Sequence, residues 1–358
     1  MNSRKLGAVA GTIALIVGLF TGCGSSEDAS GTSTADDSDN GKSVTYSVAD
    51  SKESIRVASG SENKEVADAV RQAAEQADVS VTVDYMGSLD IMDALRNKGH
   101  HAGRDYDAVW PASSMWITLG DTGHLVKDQI STSTTPVVFG VKRSKAKALG
   151  WTNADGTTKP VPTKDIMDAV KDRKLSFAMT SATQSNSGAS AYMAFLTALR
   201  GGDAALAEAD LNDASLRSSV KTLLSGIDQS SGSSDWLKDM LVNDPDSHDS
   251  MVNYESLVIQ ADKELTAKGK EPLLAIYPSD GIAVADSPLG YVDRGQGKER
   301  AFARFSKAMT SKTAKRIFEE AGRRTGADGA LTYGKAAKVR NSFRGEWGID
   351  TDTSVLKT

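Results

Sequence analysis

The sequence predicts an α/β fold in two lobes, each a mainly parallel sheet with flanking helices. Three observations lead there. Three strand-loop-helix units follow one another early in the chain, and a second series follows a polar stretch. Roughly 300 residues also remain after a polar N-terminal tether that ends near residue 53, more than one compact domain usually needs.

The first unit begins with a buried strand over residues 55–59 (IRVAS). The loop G-S-E-N follows, then a segment with Val66, Ala69, Val70, Ala73 and Ala77 at helical spacing. The second unit is the strand 79–85 (VSVTVDY), the loop M-G-S and a helix from about Asp90 that turns Ile91, Met92 and Leu95 inward. The third is 106–110 (YDAVW), then P-A-S-S, then a helical stretch with Met115 and Trp116. Residues 134–141 (TTPVVFGV) read as a further apolar strand. Beyond the polar stretch 151–163 come a helix at 166–170 and the strand 175–180 (LSFAMT). There S-A-T-Q-S-N-S-G opens a helix with Ala191, Ala194, Phe195, Ala198 and Leu199 on one face. Helical or irregular segments run to about Lys270. Strands at 273–277 and 282–285 flank P-S-D-G, and one long amphipathic helix carrying Phe302, Phe305, Met309, Ile317, Phe318 and Ala321 closes the body. After Arg324 the chain is Gly-rich and irregular.

The first 22 residues have the layout of a cleavable export signal: Arg4 and Lys5, an uncharged apolar run over 6–20, then Thr21 and Gly22 before Cys23. That run is short for a bilayer span. Cys23 is the only cysteine, and its place after F-T-G fits a lipobox in which the thiol is acylated, with Phe20 where Leu is usual. A lipoprotein with an acyl (palmitate-type) membrane anchor on the outer face of the cell membrane is expected. With Cys23 used by lipid, no thiol remains for disulfides, nucleophilic catalysis or metal binding. Residues 24–53 are rich in Ser, Thr, Asp and Gly and are expected to be a disordered tether.

The formal net charge of −5, with no basic stripe interleaved with aromatics, argues against a nucleic-acid partner. No G-x-S-x-G follows a strand, four histidines are few to recruit from, and adjacent His100 and His101 do not share a helix face. G-A-L-T-Y-G-K-A at 329–336 lacks the hydroxyl a phosphate loop needs for magnesium. Asp280 in P-S-D-G is read as a turn residue. No enzyme, cofactor or metal site is therefore expected.

The strand-to-helix junctions are uniform in chemistry: Ser59, Gly60 and Ser61; Gly87 and Ser88; Ser113 and Ser114; and Thr180 with Ser181, Thr183, Ser185, Asn186, Ser187 and Gly188. Open α/β sheets bind ligands at such edges, where free N–H groups and hydroxyls face outward. A single Ser there is an ordinary N-cap. Four such junctions point to one shared cleft suited to a tetrahedral oxyanion.

These junctions resemble those of the type II periplasmic solute-binding proteins, in the branch with the molybdate, sulfate and phosphate receptors of ABC importers. The stretches that carry the likeness are ASGSEN at 58–63, YMGSLDIMDAL at 85–95, YDAVWPASSMW at 106–116, FAMTSATQSNSGASAYMAFLTAL at 177–199 and LLAIYPSDGIAVAD at 273–286. TSATQSNSGAS looks particularly like actinobacterial envelope proteins in which such a domain precedes a von Willebrand factor A domain. The resemblance implies lobe one at 54–136 and 277–324 and lobe two at 137–276. Two crossover strands at 134–141 and 273–286 would join them, and residues 325–358 would form a C-terminal extension. It implies ligand contacts from Ser59, Ser61, Ser88, Ser113 or Ser114, Ser185, Asn186, Ser187 and Tyr277, an ABC permease as partner, and a monomer. No Arg stands in the 180–188 loop, where some oxyanion receptors place one. The alternative is an envelope structural or signalling module on the same fold, with no transporter.

Overall fold

The structure is a computed structural model, and it describes residues 35–38, 42–201, 206–326, 329–330 and 347–349. The signal segment, Cys23 and the first part of the expected tether lie outside these residues.

Two sheets organise the chain. In lobe one the order is β1 (Ala35–Ser38), β2 (Ser43–Tyr46), β4 (Ser80–Met86), β3 (Ser54–Gly60), β7 (Ala108–Trp110), β15 (Pro288–Val292) and β8 (Val126–Ser131). In lobe two it is β11 (Ile227–Ser231), β10 (Phe177–Thr180), β12 (Ser250–Tyr254), β9 (Thr135–Lys142) and β13 (Leu273–Ile276), with β14 (Val284–Ala285) pairing the start of β9. A short hairpin of β5 (His100–His101) and β6 (Arg104–Asp105) stands apart. Pairing is parallel where strand-loop-helix units adjoin, β3 with β4 and β7, and β10 with β11 and β12. Antiparallel strands extend both sheets from there.

Helices cover both faces of each sheet, so the central strands are buried throughout. In lobe one, α1 (Ala67–Ala77), entered through a 3₁₀ turn at Ser61–Val66, packs with α11 (Glu299–Met309) and α12 (Lys312–Glu320) over a core of Val57, Val83, Phe302, Phe305 and Phe318. On the other face α2 (Ser88–Arg96) and α3 (Ser114–Gly120) cover Ala58, Tyr106 and Val109 with Ile91, Leu95 and Ile117. In lobe two, α4 (Arg143–Ala148), α5 (Thr163–Lys171) and α6 (Asn186–Arg200) enclose Phe139, Phe177 and Phe195. The pair α7 (Glu208–Leu211) and α8 (Ala214–Leu224) flanks α6. The opposite face is closed by α9 (Ser234–Asn243) and α10 (Glu255–Ala267).

Three expectations change. The tether is shorter on its C-terminal side, because S-V-T-Y at 43–46 pairs with β4, buries Tyr46 and lets Ser43 donate to Asp84 at 2.6 Å. Four residues inside a polar stretch are too few to register as a strand by composition. The single closing helix is two, broken at Thr310–Ser311, where the Ser311 hydroxyl accepts the Ala314 N–H and starts α12 afresh. The strand expected at 134–141 as a crossover is β9: its first residues pair with β14, the rest joins β12 and β13, and the chain passes between sheets at Thr132–Thr134 and Asp286–Ser287. Last, the stretch from 200 to 270, undivided in the sequence reading, supplies β11, α9, β12 and α10.

Part of the C-terminal extension packs on lobe two. Trp347 and Ile349 join the core beside Leu273 and Ala275, and the Trp347 carbonyl accepts the Ala275 N–H at 2.8 Å.

Candidate functional site

The carboxyl ends of β3, β4 and β7 in lobe one face those of β10, β11 and β12 in lobe two, so the Ser- and Gly-rich junctions meet along one seam. Gly87, before α2, lies against the Gln184 carbonyl before α6, and a side-chain carbon on Gly87 would collide with that oxygen. The lobes are closed. Met92 and Trp116 of lobe one pack on Ala189 of lobe two, and the Trp116 indole donates to Asn186 Oδ1 at 2.6 Å.

At the centre of the lobe-two wall is Asn186, first residue of α6. Its amide nitrogen donates to the Tyr254 hydroxyl at 2.8 Å, and its oxygen also accepts from Ser190 Oγ at 3.1 Å. Ser185 Oγ and Ser187 Oγ lie 3.0 and 2.8 Å from Ser234 Oγ, and Ser187 Oγ lies 2.8 Å from Thr180 Oγ1. This chain of hydroxyls holds the start of α6 against the start of α9. Gly188 completes the approach: any side chain there would strike the Thr180 carbonyl, so α6 sits directly on the end of β10.

The lobe-one wall is built on the first junction. Ser59 Oγ accepts from Asn63 Nδ2 at 3.0 Å and donates to the Gly60 carbonyl at 3.1 Å. Ser61 and Glu62 are both buried in the 3₁₀ turn. Arg323, just past α12, comes in from behind with no exposed surface. Its Nη1 donates to Asn63 Oδ1 at 2.7 Å and its Nη2 to the Glu62 carbonyl at 2.6 Å, while its Nε has no hydrogen-bond partner. Burial pulls the Arg323 guanidinium below its ordinary value, a shift that nearby Glu62 opposes. Burial likewise pushes Glu62 up to about 7 against the pull of Arg323. Tyr254 and Tyr85 are driven well above the usual phenol range, first by burial and then by Glu62 and Tyr46 respectively.

Around this centre runs a rim of charge. Lys238 of α9 reaches Glu65 of the 3₁₀ turn at 2.9 Å, and Lys64 lies 3.6 Å from Asp235. The ammonium groups of Lys42 and Lys64 stand over the Trp236 ring at 5.4 and 5.9 Å.

The other expected residues are engaged differently. Ser88 Oγ accepts the Ala112 N–H at 3.0 Å, joining two lobe-one junctions. Ser113 caps α3, and the Ser114 N–H donates to Asp286 at 2.8 Å. Tyr277 stands apart from the Asn186–Tyr254 cluster: its hydroxyl donates to Glu255, which also takes two hydrogen bonds from Arg324, at 2.8 and 2.6 Å, next to the crossover. Asp280 accepts the Thr163 N–H and hydroxyl at the start of α5. Glu62, Arg323, Ser234, Asp235 and Tyr254 were not found from sequence. Only S-S-G-S-S at 230–234, with the same chemistry as the other junctions, carried a usable signal.

The described residues contain no helix long and apolar enough to cross a membrane. No curated protein matches the sequence significantly. Several solved structures share the fold. The sulfate-binding protein SubI of Mycobacterium tuberculosis is 19% identical, over 81% of this chain and 91% of its own, with a TM-score of 0.57. The periplasmic binding protein AfuA of Actinobacillus pleuropneumoniae, solved with fructose-6-phosphate bound, is 14% identical over 76% and 83%, with a TM-score of 0.55. The ferric binding protein of Campylobacter jejuni is 12% identical over 75% and 85%, at 0.52. These likenesses concern the two-lobed fold. Residues 55–324 match the family model described as bacterial extracellular solute-binding protein, which spans both lobes, and the chain belongs to that family.

Proposed function

We propose that the protein captures a small oxyanion between its lobes, on the outer face of the membrane to which lipid on Cys23 holds it, and delivers the solute to an ABC-type permease. The observation that carries the oxyanion is Arg323. A guanidinium with no exposed surface is costly to bury, and here it stands at a seam lined by Ser234, Asn186 and Tyr254, donors suited to anionic oxygens. Ser61 on one wall and Ser185, Asn186 and Ser187 on the other sit where strands give way to helices, so backbone N–H groups add to the same field. Ser59, Ser88, Ser113 and Ser114 hold the lobe-one loops in shape, and Tyr277 acts at the hinge. The sulfate- and sugar-phosphate-binding neighbours are consistent with this reading.

Closure follows from contacts that exist only when both lobes meet, such as Trp116 with Asn186 and Lys238 with Glu65. A lipid point and a polar leash keep the body in the plane where a permease would be met.

The test is thermal unfolding of the protein purified without residues 1–23, with phosphate, sulfate, molybdate and tungstate set against sugars and amino acids. One oxyanion at a hundredfold excess over its Kd stabilises by about 2.7 kcal/mol. Stabilisation by a sugar or amino acid alone rejects the oxyanion.

A further inference from the structure

We infer that Glu62 is a built-in competitor for the solute: its carboxylate, buried on the lobe-one wall within the electrostatic reach of Arg323 and Tyr254 though not ion-paired with Arg323, takes the place an incoming oxyanion has to fill. This rests on the oxyanion reading above. The carboxyl folds back so that Oε1 fills the space beside the Gly60 Cα where a side chain would otherwise sit. Glu62 is 4% exposed, and Oε1 has no hydrogen-bond partner among the described residues. Arg323 cannot swing away, because both terminal nitrogens are bonded to the Glu62 carbonyl and Asn63. The groups that act on the carboxyl are Arg323 from lobe one and Asp235 from lobe two, with Tyr254 across the seam. Glu65 and Lys64 lie on its own turn, and Lys238 lies beyond Glu65.

Bringing a second anion into the field of one buried guanidinium, next to a buried carboxylate that no ion pair neutralises, is costly. Solute entry therefore requires the carboxylate to leave or to take up a proton, and affinity is reduced by the fraction of molecules in which it does neither. Burial, which pushes Glu62 up to about 7, makes protonation accessible near neutral pH.

The experiment is calorimetric titration of the full-length protein in detergent with sulfate, whose charge is constant between pH 6 and 8, and with phosphate. Glu62→Gln binds sulfate or phosphate about tenfold tighter than wild type at pH 8, with a smaller gap at pH 6, while Glu62→Asp stays near wild type. Unchanged or weaker binding by a folded Glu62→Gln overturns this inference and leaves the oxyanion reading standing. No oxyanion binding by wild type or variant overturns both. If Glu62→Gln shows no cooperative melt, wild type alone decides: sulfate affinity rises from pH 8 to pH 6, and a flat or opposite profile overturns the inference.

Discussion

The indole N–H of Trp116 in lobe one donates to the amide oxygen of Asn186 in lobe two at 2.6 Å, in a buried setting. Asn186 in turn donates to Tyr254, so this bond ties the α3 junction to the α6 junction and to the end of β12. Trp116→Phe removes this hydrogen bond and part of the ring surface packed on Met92 and Ala189, a loss of at least about 1 kcal/mol from the closed state. Solute affinity falls roughly fivefold or more while the ligand-free melting temperature moves little. Titration and a melt of the same sample check both halves.

Gly87→Val separates closure from folding more sharply. The added carbons meet the Gln184 carbonyl only when the lobes are together. Binding is lost, stability without ligand is retained, and small-angle scattering reports a larger radius of gyration than wild type. A variant that still closes and binds removes Gly87 from the seam.

The Glu255–Arg324 pair near the crossover is fully buried and closed by Tyr277. Arg324→Met leaves the Glu255 charge buried with the Tyr277 hydroxyl as its remaining side-chain partner among the described residues, and a broken buried pair costs about 3 to 5 kcal/mol. Urea unfolding shows the midpoint falling with little change in slope.

Stability also depends on pH in a defined sense. A carboxyl whose folded value is raised binds more protons folded than unfolded, so its contribution is full below its unfolded value of 4.5 and is lost as pH rises toward about 7. For Glu62 that span corresponds to about 3 kcal/mol. Asp235, pushed up to about 6 by burial, acts in the same direction from 3.8 upward. Chemical denaturation at pH 5 and pH 8 shows wild type less stable at pH 8, and Glu62→Gln removes part of the slope.

Much of this architecture was legible in the sequence because periodicity and junction chemistry agreed. Ile55, Val57, Val83 and Val109 marked the strands, and the Ser/Thr/Asn/Gly loop at 180–188 marked the start of α6. Glu62 read as one polar residue of a loop, since burial is invisible until Arg323, some 260 positions later, closes over it. Arg323 itself sat in G-R-R-T, which looks like the end of a helix. Tyr254 and Glu255 were hidden for a related reason: β12 is buried on both faces and only five residues long, and the helix after it begins with a charged residue that pairs out of sequence with Arg324. Tyr277 reads in the sequence as a ligand contact from the second hinge, and in the structure its hydroxyl donates to Glu255.

The central claim is that one oxyanion is held between the two lobes, and calorimetric titration of the protein with phosphate, sulfate and molybdate, beside an Asn186→Leu variant, tests it most directly. The account predicts saturable binding of one anion per chain that the variant loses. Failure of all three anions to bind, or undiminished binding by Asn186→Leu, contradicts it.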